Sequence, residues 1–213
     1  MAYAKVVLGL PIEGPFDYRV PHALSSKVRV GSRVSVSFRN LIKTGYVVGI
    51  AKSSQIQRVK DILCVLDDTP SIDKYTLKLT RELADYYCSS WGEAIEAALP
   101  DKLRKSCRLP VLNNFNDKLP KQKPKITCVT GFAIKKRYDF YLSRISEVLK
   151  NNLSVIVLFS DTPAIMAFRD RVKASLGLEP TVLSRNDPSE LQAWLKIRNS
   201  EVKLAIGTRS CVF

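Results

Sequence analysis

The sequence predicts an α+β N-terminal domain, a small barrel-like sheet with packed helices, followed by an α/β lobe with a parallel sheet. Three observations lead there. Short β-branched or aromatic runs separated by turn residues fill the chain as far as Leu66, the apolar period then changes to three and four, and beyond Ile126 strand-like and helix-like segments alternate.

The runs are Tyr3 to Val7, Phe16 to Val20, Arg33 to Phe38, Gly45 to Ile50 and Ile62 to Leu66, with Gly14-Pro15, Gly31-Ser32 and Ser53-Ser54 as turn residues between them. Val34, Val36 and Phe38 alternate with Arg33, Ser35 and Ser37, the pattern of a strand with one wet face. A mostly antiparallel, barrel-like sheet follows. Ile72, Tyr75, Leu79, Leu83 and Tyr86 then recur at helical spacing, predicting a helix from about Asp73 to Tyr87 whose apolar face packs on the barrel. Trp91, Ile95 and Leu99 predict a second, short helix ended by Pro100. Helical spacing assigns Tyr86, Tyr87 and Trp91 to the core rather than to a base-stacking platform.

Ile126-Thr127-Cys128-Val129 and Val155 to Phe159 are continuous apolar runs suited to strands buried on both faces. Between them Tyr141, Leu142, Ile145, Val148 and Leu149 share one helical face. Helices from about Pro163 to Leu176 and Pro188 to Asn199, with a strand over Lys203 to Ile206, complete a parallel sheet of three or four strands.

Charge narrows the function. The 213 residues carry a formal net charge of +14, which points to a nucleic acid or another anionic surface as partner. Residues 1–100 hold 13 Lys/Arg against 10 Asp/Glu, residues 101–137 hold 11 against 2, and residues 138–213 hold 10 against 8. The expected division is therefore a domain over 1–100, a basic Pro/Lys-rich linker over 101–125, and a second lobe over 126–213. The linker reads either as a strip for a phosphate backbone or as a solvated tether. No apolar run approaches a bilayer span and the N-terminus lacks a signal-peptide pattern, so a cytoplasmic protein with no membrane partner is expected.

Five scattered cysteines without a C-x-x-C pair, and His22 as the one histidine, predict reduced thiols and no zinc or other metal site. They also disfavour Ser-His-Asp or Cys-His catalysis. One carboxylate stands out: Asp17 lies between Phe16 and Tyr18, just after Gly14-Pro15. An acid in the contact surface of a polyanion binder needs a group other than phosphate to read, and a free sugar hydroxyl is one. A regular strand, however, puts Phe16 and Tyr18 on one face and Asp17 on the other. From the residues alone, the favoured reading makes the aromatics core and Asp17 the partner of a surface Arg or Lys.

The first hundred residues resemble the 3′ DNA-binding domain of the primosomal protein N′ (PriA) family. The resemblance runs in order through Leu10-Pro11, Phe16-Asp17-Tyr18, Gly31-Ser32-Arg33-Val34, Gly45-Tyr46-Val47-Val48, Lys60 with Ile62 to Asp67, Ala84-Asp85-Tyr86-Tyr87 and Ala98-Leu99-Pro100. The second half is similar to the start of that family's RecA-like helicase lobe in Cys128 to Gly131, Tyr141-Leu142, Ala193 to Lys196 and Ile206 to Phe213. The resemblance implies a pocket of Phe16, Asp17, Tyr18 and Lys60 for the 3′-OH end of a nascent strand at a stalled fork. It adds Arg39, which stands where the family usually has glycine. Gly207, Thr208 and Arg209 are implied as backbone contacts to DNA. Implied partners are DNA that is forked or has a free 3′ end, and other primosome proteins.

The departures concern catalysis. A phosphate loop needs glycines for the backbone cradle, a lysine for the β/γ oxygens and a Ser/Thr hydroxyl for Mg²⁺. After Thr130-Gly131 this chain continues Phe132-Ala133-Ile134-Lys135, so Thr130, Gly131 and Lys135 form at most a degenerate nucleotide site. The expectation is a DNA-binding protein of the replication-restart type without helicase activity and without a cofactor, ATP and Mg²⁺ entering only if that loop still functions. The alternative is a fragment of a longer 3′ to 5′ helicase of the same family that retains nucleotide binding.

Overall fold

Alternating apolar residues in five consecutive strands close a sheet on itself. The computed structural model describes residues 2–105, 125–130, 133–185 and 187–212, and the chain divides into two compact units, 1–114 and 115–212. In the first, β1 (Ala2–Leu8), β2 (Phe16–Val20), β3 (Arg33–Phe38), β4 (Leu41–Ala51) and β5 (Lys60–Val65) form a closed barrel in the order β1-β2-β5-β3-β4. All its pairings are antiparallel except β2 with β5. Ala4, Val6, Leu8, Tyr18, Val20, Val34, Val36, Val47 and Ile62 fill the interior.

The turn before β3 depends on Gly31. Its φ of +88° lies in the left-handed region, and a Cβ there would stand 1.9 Å from the Ile72 carbonyl oxygen. Ser32 and Arg33 thereby enter β3 against the segment that leads into α1 (Lys74–Tyr87).

The wet face expected for β3 is not wet at its start. Arg33 is fully buried, and its guanidinium makes a two-point ion pair with the equally buried Asp67, with Nε–Oδ2 at 2.7 Å and Nη2–Oδ1 at 2.5 Å. Its Nη1 also donates to the Leu103 carbonyl. Leu103 belongs to α3 (Asp101–Arg104), a turn of helix on the barrel where the linker was expected to begin. Residues 106–124 of that expected linker lie outside the described residues.

Both helices that follow the barrel start on side-chain caps. Asp73 accepts from the Tyr75 and Thr76 amides, and Ser90 and Glu93 form a reciprocal capping box at α2 (Trp91–Ala98). Gly92 lets α2 press on the end of β1, since a Cβ there would meet the Leu8 carbonyl oxygen at 1.7 Å. The buried face of α1 is Leu77, Thr80 and Ala84 rather than the expected Tyr75-Leu79-Leu83-Tyr86 stripe. Tyr86 and Tyr87 are 79% and 69% exposed, which corrects their assignment to the core. The stripe misled because Thr80 sits inside, where its hydroxyl is satisfied by the Thr76 and Leu77 carbonyls and receives the Trp91 indole N–H.

The second unit holds α4 (Ile134–Lys150), β6 (Val155–Leu158), α5 (Thr162–Leu176), β7 (Thr181–Leu183), α6 (Glu190–Arg198) and β8 (Leu204–Gly207). Its parallel sheet runs β6-β8-β7. Leu142 and Ile145 of α4 and Ile165, Phe168 and Val172 of α5 pack with Leu204 and Ile206 in its core. Ile126 to Val129 is not a strand, and Ile126 is 92% exposed. The third strand is Thr181–Leu183, too short to show a period. Nor is β6 buried on both faces: Ile156 and Leu158, which share one face of the strand, are about half exposed. Among the described residues no helix is long and apolar enough to cross a membrane.

Replacing Arg33 by Met should cost about 3–5 kcal/mol of unfolding free energy in urea, because Asp67 keeps a buried charge without its partner. Arg33→Met combined with Asp67→Leu should recover much of that loss, and a single-substitution cost below about 1 kcal/mol would refute the assignment. A second expectation concerns thiols. Cys64, Cys88 and Cys128 are exposed, whereas burial pushes the Cys211 thiol up to about 11. Iodoacetamide on the native protein should alkylate the first three and spare Cys211, as mass mapping will show.

Candidate functional site

A cleft of about 750 Å³ opens where the starts of β2 and β5, the end of β3 and the loop 52–59 meet. It is lined by Lys5, Pro15, Phe16, Asp17, Tyr18, Ser37, Phe38, Arg39, Ser53, Gln55, Ile56, Arg58 and Lys60. All five residues expected at a 3′-end pocket, Phe16, Asp17, Tyr18, Arg39 and Lys60, are therefore on its wall. Parallel pairing sets Lys60 beside Tyr18, and antiparallel pairing sets Lys5 across from Asp17.

The aromatic residues divide their roles. Tyr18 points into the barrel, is 4% exposed, and donates its hydroxyl to the Ser37 carbonyl at 3.2 Å. Its ring is core. Phe16 is half-buried and packs on Phe38 with ring centroids 5.2 Å apart, so these two rings give the cleft its apolar surface. Strand alternation then sends Asp17 to the other face, as the residue pattern requires.

Asp17 is already partnered there. Its side chain is 7% exposed, with the Lys5 ammonium 2.5 Å from Oδ1, and the Ser54 hydroxyl donates to Oδ2 at 2.5 Å. Burial is the largest single influence on this carboxyl and opposes its ionisation. Hydrogen bonds from Lys5 and Ser54, with the Lys5 charge, outweigh it and hold the group below its ordinary range.

Arg39 and Asn40 form the two-residue turn between β3 and β4, at φ of 46° and 63°. Both angles are left-handed, as a tight hairpin of this twist demands. An arginine there accepts a backbone that suits glycine, with its guanidinium 5.5 Å from the Phe38 ring centroid. Arg39, Arg58 and Lys60 are exposed and, among the described residues, none has a carboxylate partner. With Lys5 neutralised by Asp17, three cations face a cleft with no net opposing charge.

Sequence reasoning missed Lys5, Phe38, Ser54 and Arg58. Lys5 and Phe38 arrive by strand register, which no local pattern states. Ser54 and Arg58 lie on a polar loop that carried only a turn signal.

The other expected sites do not gather into one. Gly207 is buried at the end of β8, where a Cβ would meet the Leu183 carbonyl oxygen at 2.5 Å. Thr208 accepts the Cys211 amide, and Arg209 is exposed. Thr130 is exposed outside any helix or strand, Lys135 is exposed in the first turn of α4, and Gly131 lies outside the described residues.

Comparison with known proteins bears on the first unit directly. Residues 5–100 match the model of the 3′ DNA-binding domain (3′BD) of PriA. The cleft lies wholly within the matched residues, which run from β1 to α2. Relatives are proteins named replication restart protein PriA. That of Rickettsia conorii is 26% identical across the whole of this chain and 35% of its own length, and that of Treponema pallidum 23% across 99% and 36%. The Bacillus subtilis protein is 30% identical over 49% of this chain and 14% of its own length. The chain thus spans about a third of the length of the relatives it matches throughout, and that similarity extends beyond residues 5–100 into the second unit.

The Lys5–Asp17 pair carries a pH consequence. A carboxyl held low when folded adds stability that is present above its unfolded value, near 3.9, and is lost as pH falls through the folded value. Lys5→Met should remove the counter-charge, raise the Asp17 pKa followed by NMR titration, and cost about 1–2 kcal/mol at neutral pH after allowance for the partly exposed ammonium. An unchanged Asp17 titration would show that the pair does not form in solution.

Proposed function

We propose that this protein binds DNA at a free 3′ end through the cleft of the 3′BD, as a replication-restart protein acting at forks. The observation that supports the reading is the composition of the cleft wall: two packed aromatic rings, three cations with no carboxylate partner among the described residues, and a single recessed carboxylate. Each part suits one part of a strand end. A terminal base stacks on the Phe16–Phe38 surface, for about 1–3 kcal/mol. Lys60, Arg58 and Arg39 take the last phosphates, contacts that position the strand without reading its sequence. Asp17 accepts the terminal 3′-OH.

Selectivity for ends follows from charge. A nucleotide inside a strand offers Asp17 a phosphodiester in place of a hydroxyl, and like charges close together are disfavoured. A protein of net charge +14 binds any DNA through its phosphates, so the carboxylate supplies preference and the cations supply affinity. The names of the relatives, replication restart protein PriA, support the fork as the setting.

We further read the chain as acting by binding rather than unwinding. The stretch after Thr130-Gly131 holds Phe132, Ala133, Ile134 and Lys135 where a phosphate cradle needs glycines and a hydroxyl.

The test compares forks that differ only at the 3′ terminus. Asp17→Ala should weaken binding to the 3′-OH fork roughly tenfold while a 3′-phosphorylated fork, relieved of the carboxylate, binds no more weakly than before. Lys60→Ala should weaken both alike and reduce the salt slope of log Kd by about 1. Equal losses for Asp17→Ala on both forks would remove the hydroxyl-reading role.

A further inference from the structure

Asp17, on the cleft wall, already accepts a hydroxyl from the protein itself, that of Ser54, which lies between the lining residues Ser53 and Gln55. Oδ1 of Asp17 is sealed from solvent beside the Lys5 ammonium, and Oδ2 is closed by the Ser54 hydroxyl at 2.5 Å. A ligand hydroxyl cannot reach Oδ1 without opening the ion pair between facing strands. It can reach Oδ2 by displacing one serine.

That serine is also what fastens its loop. The Ser54 hydroxyl oxygen accepts the Ile56 amide at 3.1 Å while its proton goes to Asp17, so one side chain joins the loop backbone to the barrel wall. Among the described residues no backbone–backbone hydrogen bond outside the strand ladders ties residues 52–59. A segment with so few fixed hydrogen bonds opens at little cost. Gln55, Ile56 and Arg58 of this loop form one side of the cleft.

We infer that Ser54 is a built-in competitor for the 3′-OH: a strand end binds by exchanging its hydroxyl for that of Ser54 on Asp17 Oδ2, which releases the loop 52–59. The inference rests on the reading of the cleft given above. The exchange replaces one O–H···O⁻ bond by another of the same kind, so the wild-type site gives up affinity in return for requiring a donor. A 3′-deoxy end offers no donor and leaves Ser54 in place. Arg58, four residues beyond Ser54, moves with the released loop toward the phosphates.

The test uses the full chain and two DNA hairpins that are identical except for a 3′-OH or a 3′-deoxy terminus, with Kd measured by fluorescence anisotropy at fixed salt. Ser54→Ala should bind the 3′-OH hairpin roughly 2- to 10-fold tighter than wild type and the 3′-deoxy hairpin equally well. Ser54→Thr keeps the hydroxyl and should retain the wild-type ratio. Should Ser54→Ala weaken both hairpins, or change both by the same factor, the serine is a support for the loop and the exchange is refuted. If wild type itself fails to distinguish the termini, the 3′-end reading of the cleft fails and the exchange with it. If wild type distinguishes them and Ser54→Ala keeps the same ratio, the exchange alone falls.

Discussion

The first unit depends on the buried pair of Arg33 and Asp67. Arg33 opens β3, Asp67 follows β5, and the remaining guanidinium donor reaches the Leu103 carbonyl on α3, so one side chain holds three separate pieces of chain. Such a pair adds little net stability relative to a well-packed apolar substitute, because two charges lose their water. What it adds is definition. The fork of a guanidinium fits a carboxylate in one arrangement, which fixes where the 66–67 segment and α3 lie against the barrel.

With that frame set, register governs the cleft. Pairing of β1 with β2 brings Lys5 to Asp17, pairing of β2 with β5 brings Lys60 to Tyr18, and the β3–β4 turn projects Arg39 beside Phe38. A shift of one residue in any ladder would turn these side chains to the other face of the sheet. The carboxylate then behaves as its surroundings dictate: recessed, neutralised by Lys5 and capped by Ser54, it adds almost no net negative charge to a cationic surface. That resolves the conflict between a cationic surface and an acid in its midst.

The sequence was most legible where a period or a cap states the answer locally. Five β runs, the α1 and α2 helices, and Pro100 as a stop all appear in the structure close to where the pattern puts them. It was least legible where an apolar pattern had two outcomes. Ile126 to Val129 has the composition of a buried strand, yet Ile126 to Cys128 lie exposed outside any strand, because a strand exists only where a neighbour completes its ladder. Tyr86 and Tyr87 have helical spacing from the core positions yet face outward, because Thr80 takes an inner position through its hydrogen bonds.

The amino-acid sequence by itself determined the barrel strands, the capped helices, the excess positive charge and the singular position of Asp17 between two aromatic residues, since each of these is set by neighbours in the chain. Only the tertiary structure decided that Tyr18 is core while Phe38 shares the cleft, that Lys5 neutralises Asp17, and that Ser54, 37 residues away, already donates to its second oxygen. These contacts join distant residues through strand register and loop closure, and no local pattern encodes which remote hydroxyl or ammonium will come to rest against a given carboxylate.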